Sequence, residues 1–173
     1  MKRIHAALFP FLACAAVAAS AQDLPATLRP AEGAQRLLEL HAVGVQVYEC
    51  ARADGGGWTW QFRRPEATLT DARGAKAGDH GAGPFWQLND GSRIVGQVQA
   101  SSPAPAAGAI PWLLLTVKAR SGAGGLEPVE AVQRVNTVGG VAPPAADCTG
   151  AASGTARVPY TADYVFWSAA QPR

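Results

Sequence analysis

The chain has 173 residues, 48% of them apolar and only 16% charged, with a net charge of +2 from 15 basic and 13 acidic side chains. Lys2 and Arg3 belong to an N-terminal segment that reads as removable, and without them 13 basic residues face 13 acidic ones, for a net charge of zero. No basic field and no run of like charge remains, which argues against a nucleic-acid binder or a protein drawn to anionic lipid.

Residues 1–21 have the form of a secretory signal. Lys2 and Arg3 form the positive start, residues 6–18 the apolar stretch, and Ala19-Ser20-Ala21 the small-x-small cleavage site, so the mature chain is expected to begin at Gln22. The apolar stretch is too short for a membrane span, and no second stretch of spanning length follows. Phe11-Leu12-Ala13-Cys14 is a poor lipobox. A periplasmic or secreted destination follows from this reading. The residues that remain suit one domain. Cys14 leaves with the signal, so Cys50 and Cys148 remain as an even pair in an exported chain, which favours a disulfide over two buried thiols.

All 19 glycines and 12 of the 13 prolines lie beyond residue 21, and no interval free of both exceeds twelve residues. An average helix takes about 11–12 residues, so strands fit this punctuation and several helices do not. Residues 22–33 read as an extended arm, and residues 34–173 as one β-rich domain with little helix. Residues 34–41 suit a short helix or the start of a strand. Residues 36–50 alternate as one long strand, or as two joined by a bulge at Gly44. Asp54-Gly55-Gly56-Gly57 is a hairpin turn answered by a strand over 58–62, which Pro65 is expected to end, with brief pairing over 67–70.

A central loop follows, Gly78-Asp79-His80-Gly81-Ala82-Gly83-Pro84-Phe85-Trp86, then a strand over 85–88 and the turn Asn89-Asp90-Gly91-Ser92. Residues 93–100 form the next strand and 102–108 an exposed connection. Residues 110–120 are the most apolar strand, expected to be central and buried on both faces, with Pro111 tolerated at its start. Residues 128–138 return as a strand, 139–149 form a loop carrying Cys148, and 158–161 with 163–168 make the last strand. About eight strands without internal repeats predict an all-β single domain, a β-sandwich or a barrel.

Several blocks, VQVYEC, the residue 78–86 loop with LNDGS, IPWLLL, VQRVNTVGG and VPYTADYVFW, occur in this order between residues 37 and 167. Together they resemble the family catalogued as domain of unknown function 3455. The resemblance implies an exported single-domain protein of bacterial or fungal type and brings no activity, substrate or catalytic set with it.

Beyond residue 21 the histidines are His41 and His80. His80, between Asp79 and a glycine, has a side chain that titrates near neutral pH and suits a base, an acid or a ligand. The alternative is a loop in which Asp79 and His80 bond the backbone and set its shape. Neither H-x-H nor C-x-x-C occurs, so no metal site and no cofactor are expected. No G-x-S-x-G elbow and no phosphate-binding glycine loop occur either. Tryptophans at strand spacing normally fill a β core, and Trp86 is the exception nominated for a ligand because it adjoins His80. Arg134 reads either as paired with Asp163 or Asp90, or as the wall of a polar pocket.

The candidate ligand-binding residues are therefore Asp79, His80, Trp86, Asp90, Arg134 and Tyr160. The first expectation is a non-enzymatic domain that binds a small molecule or glycan near His80, which is expected to face solvent or ligand. The alternatives are a hydrolase or lyase using His80 with Asp79 or Asp90, and a structural surface protein. The oligomeric state is not legible.

Overall fold

The computed structural model describes residues 24–149 and 154–170; the expected signal peptide lies outside the described residues. Eight strands occur in chain order: β1 (Ala34–Arg52), β2 (Trp58–Thr70), β3 (Lys76–Gly81), β4 (Phe85–Leu88), β5 (Arg93–Ser102), β6 (Trp112–Ser121), β7 (Val129–Gly139) and β8 (Thr155–Ala170). Each pairs antiparallel with the next, and β8 returns to pair with β1, closing a barrel. Of the two expected architectures the chain adopts the barrel, in which first and last strands protect each other's edges. Among the described residues no helix is long and apolar enough to cross a membrane.

Period two decides what fills the barrel. Leu40 and Ala42 of β1, Leu69 of β2, Trp86 of β4, Ile94 of β5, Leu115 of β6, Val132 of β7, and Tyr164 and Phe166 of β8 form the inner core. The alternate residues Trp112, Leu114, Val135 and Val165 make a second cluster on the outer face. Leu28 caps that cluster from a 3₁₀ turn (Ala26–Leu28), and Gln133 Nε2 donates to the Leu28 carbonyl at 2.6 Å. The arm expected to be extended is thus docked through a buried leucine.

Several expectations need correction. Residues 34–41 take the strand form of the two their pattern allowed, paired along β8, with β2 joining on the other side only at His41. Gly44 is not a bulge; the irregularities lie at Val47/Tyr48 and around Arg36. A side chain at Gly44 would run into the Glu66 carbonyl and Ala67, so glycine here marks the close approach of β1 and β2. Pro65 does not end β2. Pairing of β2 with β3 begins only at Ala67, so the missing N–H of Pro65 falls where one neighbour is absent. β6 is buried on both faces only over its first half. It pairs with β7 from Leu113 to Thr116, and the remainder projects with β5.

The expected disulfide is present: Cys50 and Cys148 are joined, with Cα atoms 5.4 Å apart. It ties the β7–β8 connection to the far end of β1, where Tyr48 Oη also donates to the Gly140 carbonyl at 2.6 Å.

Because β3 and β4 are short, the wall of the barrel is incomplete. β2 pairs with β3 only from Ala67 to Thr70, and β4 pairs with β5 only from Phe85 to Gln87. Residues 58–66 of β2, paired only with β1, and 97–102 of β5, paired only with β6, therefore border a window above the β3–β4 turn.

Candidate functional site

The central stretch is a hairpin rather than a loop. Asp79 and His80 lie on β3, with His80 opposite Ala67 on one side and Trp86 on the other. Adjacent strand residues point to opposite faces, so Asp79 goes outward, where its Oδ1 meets Lys76 Nζ at 2.9 Å, and His80 goes inward. His80 is only 4% exposed and Trp86 is fully buried, which corrects the expectation of a solvent-facing histidine and makes Trp86 a core residue. Gly96 makes room for that indole, since a Cβ there would lie 2.9 Å from the ring.

His80 Nδ1 lies 2.7 Å from the Phe85 carbonyl oxygen. A carbonyl only accepts, so Nδ1 carries the proton and Nε2 is left with its lone pair. Burial, aided by the charge of Arg134 and opposed by the bond to Phe85, takes the His80 pKa down to about 3. At neutral pH the ring is uncharged. It stacks on Trp86 with centroids 4.8 Å apart and 21° between planes, and packs on Tyr164 at 4.8 Å. Tyr164 in turn meets Trp86 edge-on at 5.3 Å.

These rings border an interior cavity of about 170 Å³. Its walls are His80, Trp86, Leu113, Leu115, Arg134 and Tyr164, and its rim is Phe62, Pro65 and Val98 of the window with Pro84 of the β3–β4 turn. Phe62 and Val98 are 52% and 51% exposed. Outside the same wall runs an open groove of about 640 Å³ carrying the Arg64–Glu66–Arg157 ion cluster, and His80 and Pro65 border both spaces.

Arg134 reaches the cavity from β7. Its Nε and Nη2 donate to the Pro111 carbonyl at 3.1 and 2.8 Å. No carboxylate among the described residues pairs with it. Asp163 is taken by His41 and Asn136, and Asp90 by Ser92 and Gly125. The pocket-wall reading of Arg134 is the one the geometry supports. Trp86 Nε1 and Tyr164 Oη of this wall and Tyr160 Oη behind it are buried without a well-formed hydrogen bond, as are Gln46 Nε2 and Trp112 Nε1 outside the wall. Burial pushes both tyrosine hydroxyls above their ordinary range.

The sequence candidates thus divide. His80, Trp86 and Arg134 converge on the cavity, and Tyr160 stands behind it, one inward position from Ala162 and two from Tyr164. Asp79 faces outward. Asp90 belongs to the β4–β5 turn at the opposite end of the barrel from the β3–β4 turn. There it accepts from Gly125 N and Ser92 N, each at 2.8 Å, and from Ser92 Oγ at 2.6 Å, bonds that hold its carboxyl below the usual range. Among the described residues no group of three or more His, Cys, Asp or Glu side chains could hold a metal ion.

Sequence reasoning missed Tyr164 and the cavity leucines, for which strand parity was the available signal. It also missed a surface constellation. His41 Nδ1 lies 2.7 Å from Asp163 Oδ1, and Asn136 Nδ2 donates to Asp163 Oδ2 at 2.8 Å. Asn136 holds this place at φ 51° within an irregularity of β7.

A family model described as protein of unknown function, DUF3455, matches residues 30–168, which run from the docked arm through nearly all of β8. The chain belongs to this family. The blocks that carried the resemblance lie on β1, the β3–β4 hairpin, β6, β7 and β8, and so include all the walls of the DUF3455 cavity. No curated protein and no solved structure matches the chain.

Proposed function

We propose that this DUF3455 chain is an exported binding protein whose barrel interior takes a small molecule through the β2–β5 window. The observation that carries this reading is the wall of the cavity. Arg134 has no carboxylate partner there, Trp86 Nε1 is buried without a hydrogen-bond partner, and the buried Tyr164 hydroxyl, beside Arg134 and Tyr160, makes no well-formed bond. Leaving such a group unsatisfied costs about 1–3 kcal/mol, so side chains that gather several around a cavity are better suited to receiving a polar guest than to filling a core.

The volume favours a compact guest. A cavity of about 150 Å³ holds benzene, so the space beside His80 suits one ring or its equivalent, not a chain of sugars. Neither Asp79 nor Asp90 reaches His80, and its neutral Nε2 serves a bound molecule as a hydrogen-bond acceptor. Export fits the signal-like residues 1–21 together with the Cys50–Cys148 disulfide, a bond that persists in oxidising compartments.

The test is a screen of small polar and apolar molecules against the disulfide-bonded chain labelled with ¹⁵N, following the indole N–H resonance of Trp86, assigned with Trp86→Phe. Saturable shifts of that resonance are expected from molecules up to about one ring in size. A library that leaves it unmoved would defeat the reading.

A further inference from the structure

We propose, resting on the reading of the cavity as a ligand site, that its ligand is a small monocarboxylic acid with an apolar body, anchored through its carboxylate by Arg134. The donors and acceptors of the wall are unequal. A guanidinium carries five N–H donors; Arg134 directs one from Nε and one from Nη2 to Pro111 and another toward the Tyr164 hydroxyl, which leaves two. The indole N–H of Trp86 is a donor only, and the Tyr164 hydroxyl can donate as well. Against these, the neutral His80 ring offers one lone pair. A guest that satisfies this wall brings acceptors and negative charge.

Charge points the same way. Arg134 alternates inward with Val132, and its field acts on His80 and Tyr164, which line the cavity, and on Tyr160 behind it. Arg134 is half-buried and has no carboxylate partner among the described residues, and a carboxylate brought beside it supplies that partner. The Nε edge of the fork is occupied by Pro111, so the carboxylate takes the Nη1–Nη2 edge, with paired N–H donors in the geometry that guanidinium offers carboxylates.

The rest of the wall explains why the anion is organic. Leu113, Leu115 and Trp86 border the space, and Phe62 and Val98 flank the entrance, half exposed. Bare phosphate would leave that apolar surface unused. A benzoate-sized acid places its ring against Trp86 and the leucines and lies beneath Phe62 and Val98, which lose exposed area on binding.

The experiment uses three probes with the disulfide-bonded chain: benzoate, its neutral counterpart benzyl alcohol, and inorganic phosphate. Each is titrated by calorimetry and by the Trp86 indole resonance. Benzoate is expected to bind at least ten-fold more tightly than either other probe. Arg134→Met should weaken benzoate at least ten-fold while leaving benzyl alcohol unchanged, and Arg134→Lys should recover part of the loss. The comparison of the three probes in the wild type stands even if the Arg134 variants do not fold. Benzyl alcohol binding as well as benzoate would overturn the carboxylate assignment and leave the cavity reading intact. Phosphate binding as tightly as benzoate would overturn it in favour of a bare anion site. If none of the three probes shifts the resonance, the carboxylate assignment falls; if the wider neutral screen is silent too, the cavity reading falls with it.

Discussion

His80 Nδ1 donates to the carbonyl oxygen of Phe85 across 2.7 Å, a bond that bridges the two strands of the β3–β4 hairpin from inside the barrel. It fixes the imidazole tautomer, leaves Nε2 with its lone pair, and holds the ring nearly parallel to Trp86. A residue nominated for its chemistry is thereby also a structural element of the wall it lines.

His80→Ala should therefore destabilise the protein by about 2–4 kcal/mol, through the lost bond and the space left beside Trp86. Urea unfolding with an unchanged m-value is the measurement. A change below about 0.5 kcal/mol, as at a surface position, would show that the ring is not packed this way.

Acid should act through the same ring. An unfolded histidine titrates near 6.5, whereas folded His80 titrates near 3. As pH falls through that window the unfolded state takes up a proton that the folded state refuses. The His80 contribution is thus complete above about pH 6.5 and lost progressively toward pH 3, by up to about 4 kcal/mol. Asp71 and Asp90, whose carboxyls are held low by backbone N–H groups, also lose stabilisation in acid. The His80 share is the difference in acid dependence between wild type and His80→Gln, which should unfold less steeply between pH 6.5 and 4.

Reducing the Cys50–Cys148 bond opens a sequence separation of 98 residues. The chain-entropy model gives about 4–5 kcal/mol for such a loop, with measured values often lower. Urea midpoints of the oxidised protein and the double Cys→Ser variant measure it. Two free thiols titrating in denatured, unreduced protein would show that the bond does not form.

Gly96→Ala tests the packing of Trp86 from the opposite wall. The added Cβ would meet the indole at 2.9 Å and Leu115 at 3.2 Å, so the indole must shift to admit it. A loss of about 1–3 kcal/mol is expected, with a shift of the Trp86 indole resonance. An unchanged urea midpoint would mean that the ring lies elsewhere.

Individual elements show where sequence reading stopped. The hairpin at Asp54–Gly57 was legible because its glycines and flanking alternation are local. Pro65 misled because whether a proline ends a strand depends on its neighbours, and β3 is absent beside it. The β3–β4 hairpin was read as a loop because three glycines and a proline obscured an alternation in which His80 and Trp86 point the same way. His41, Asp163 and Asn136 were not grouped because they come together only when β8 lies between β1 and β7.

The sequence by itself determined the all-β class, the approximate strand count, the family and the cysteine pair, since each rests on spacing, composition or ordered blocks within the chain. Only the tertiary structure decided that the sheet closes on itself and that short β3 and β4 leave a window. It alone set His80, Trp86, Arg134 and Tyr164 around one cavity. The physical reason is that period two tells which face a side chain takes, whereas the strand it faces is set by long-range pairing and barrel closure.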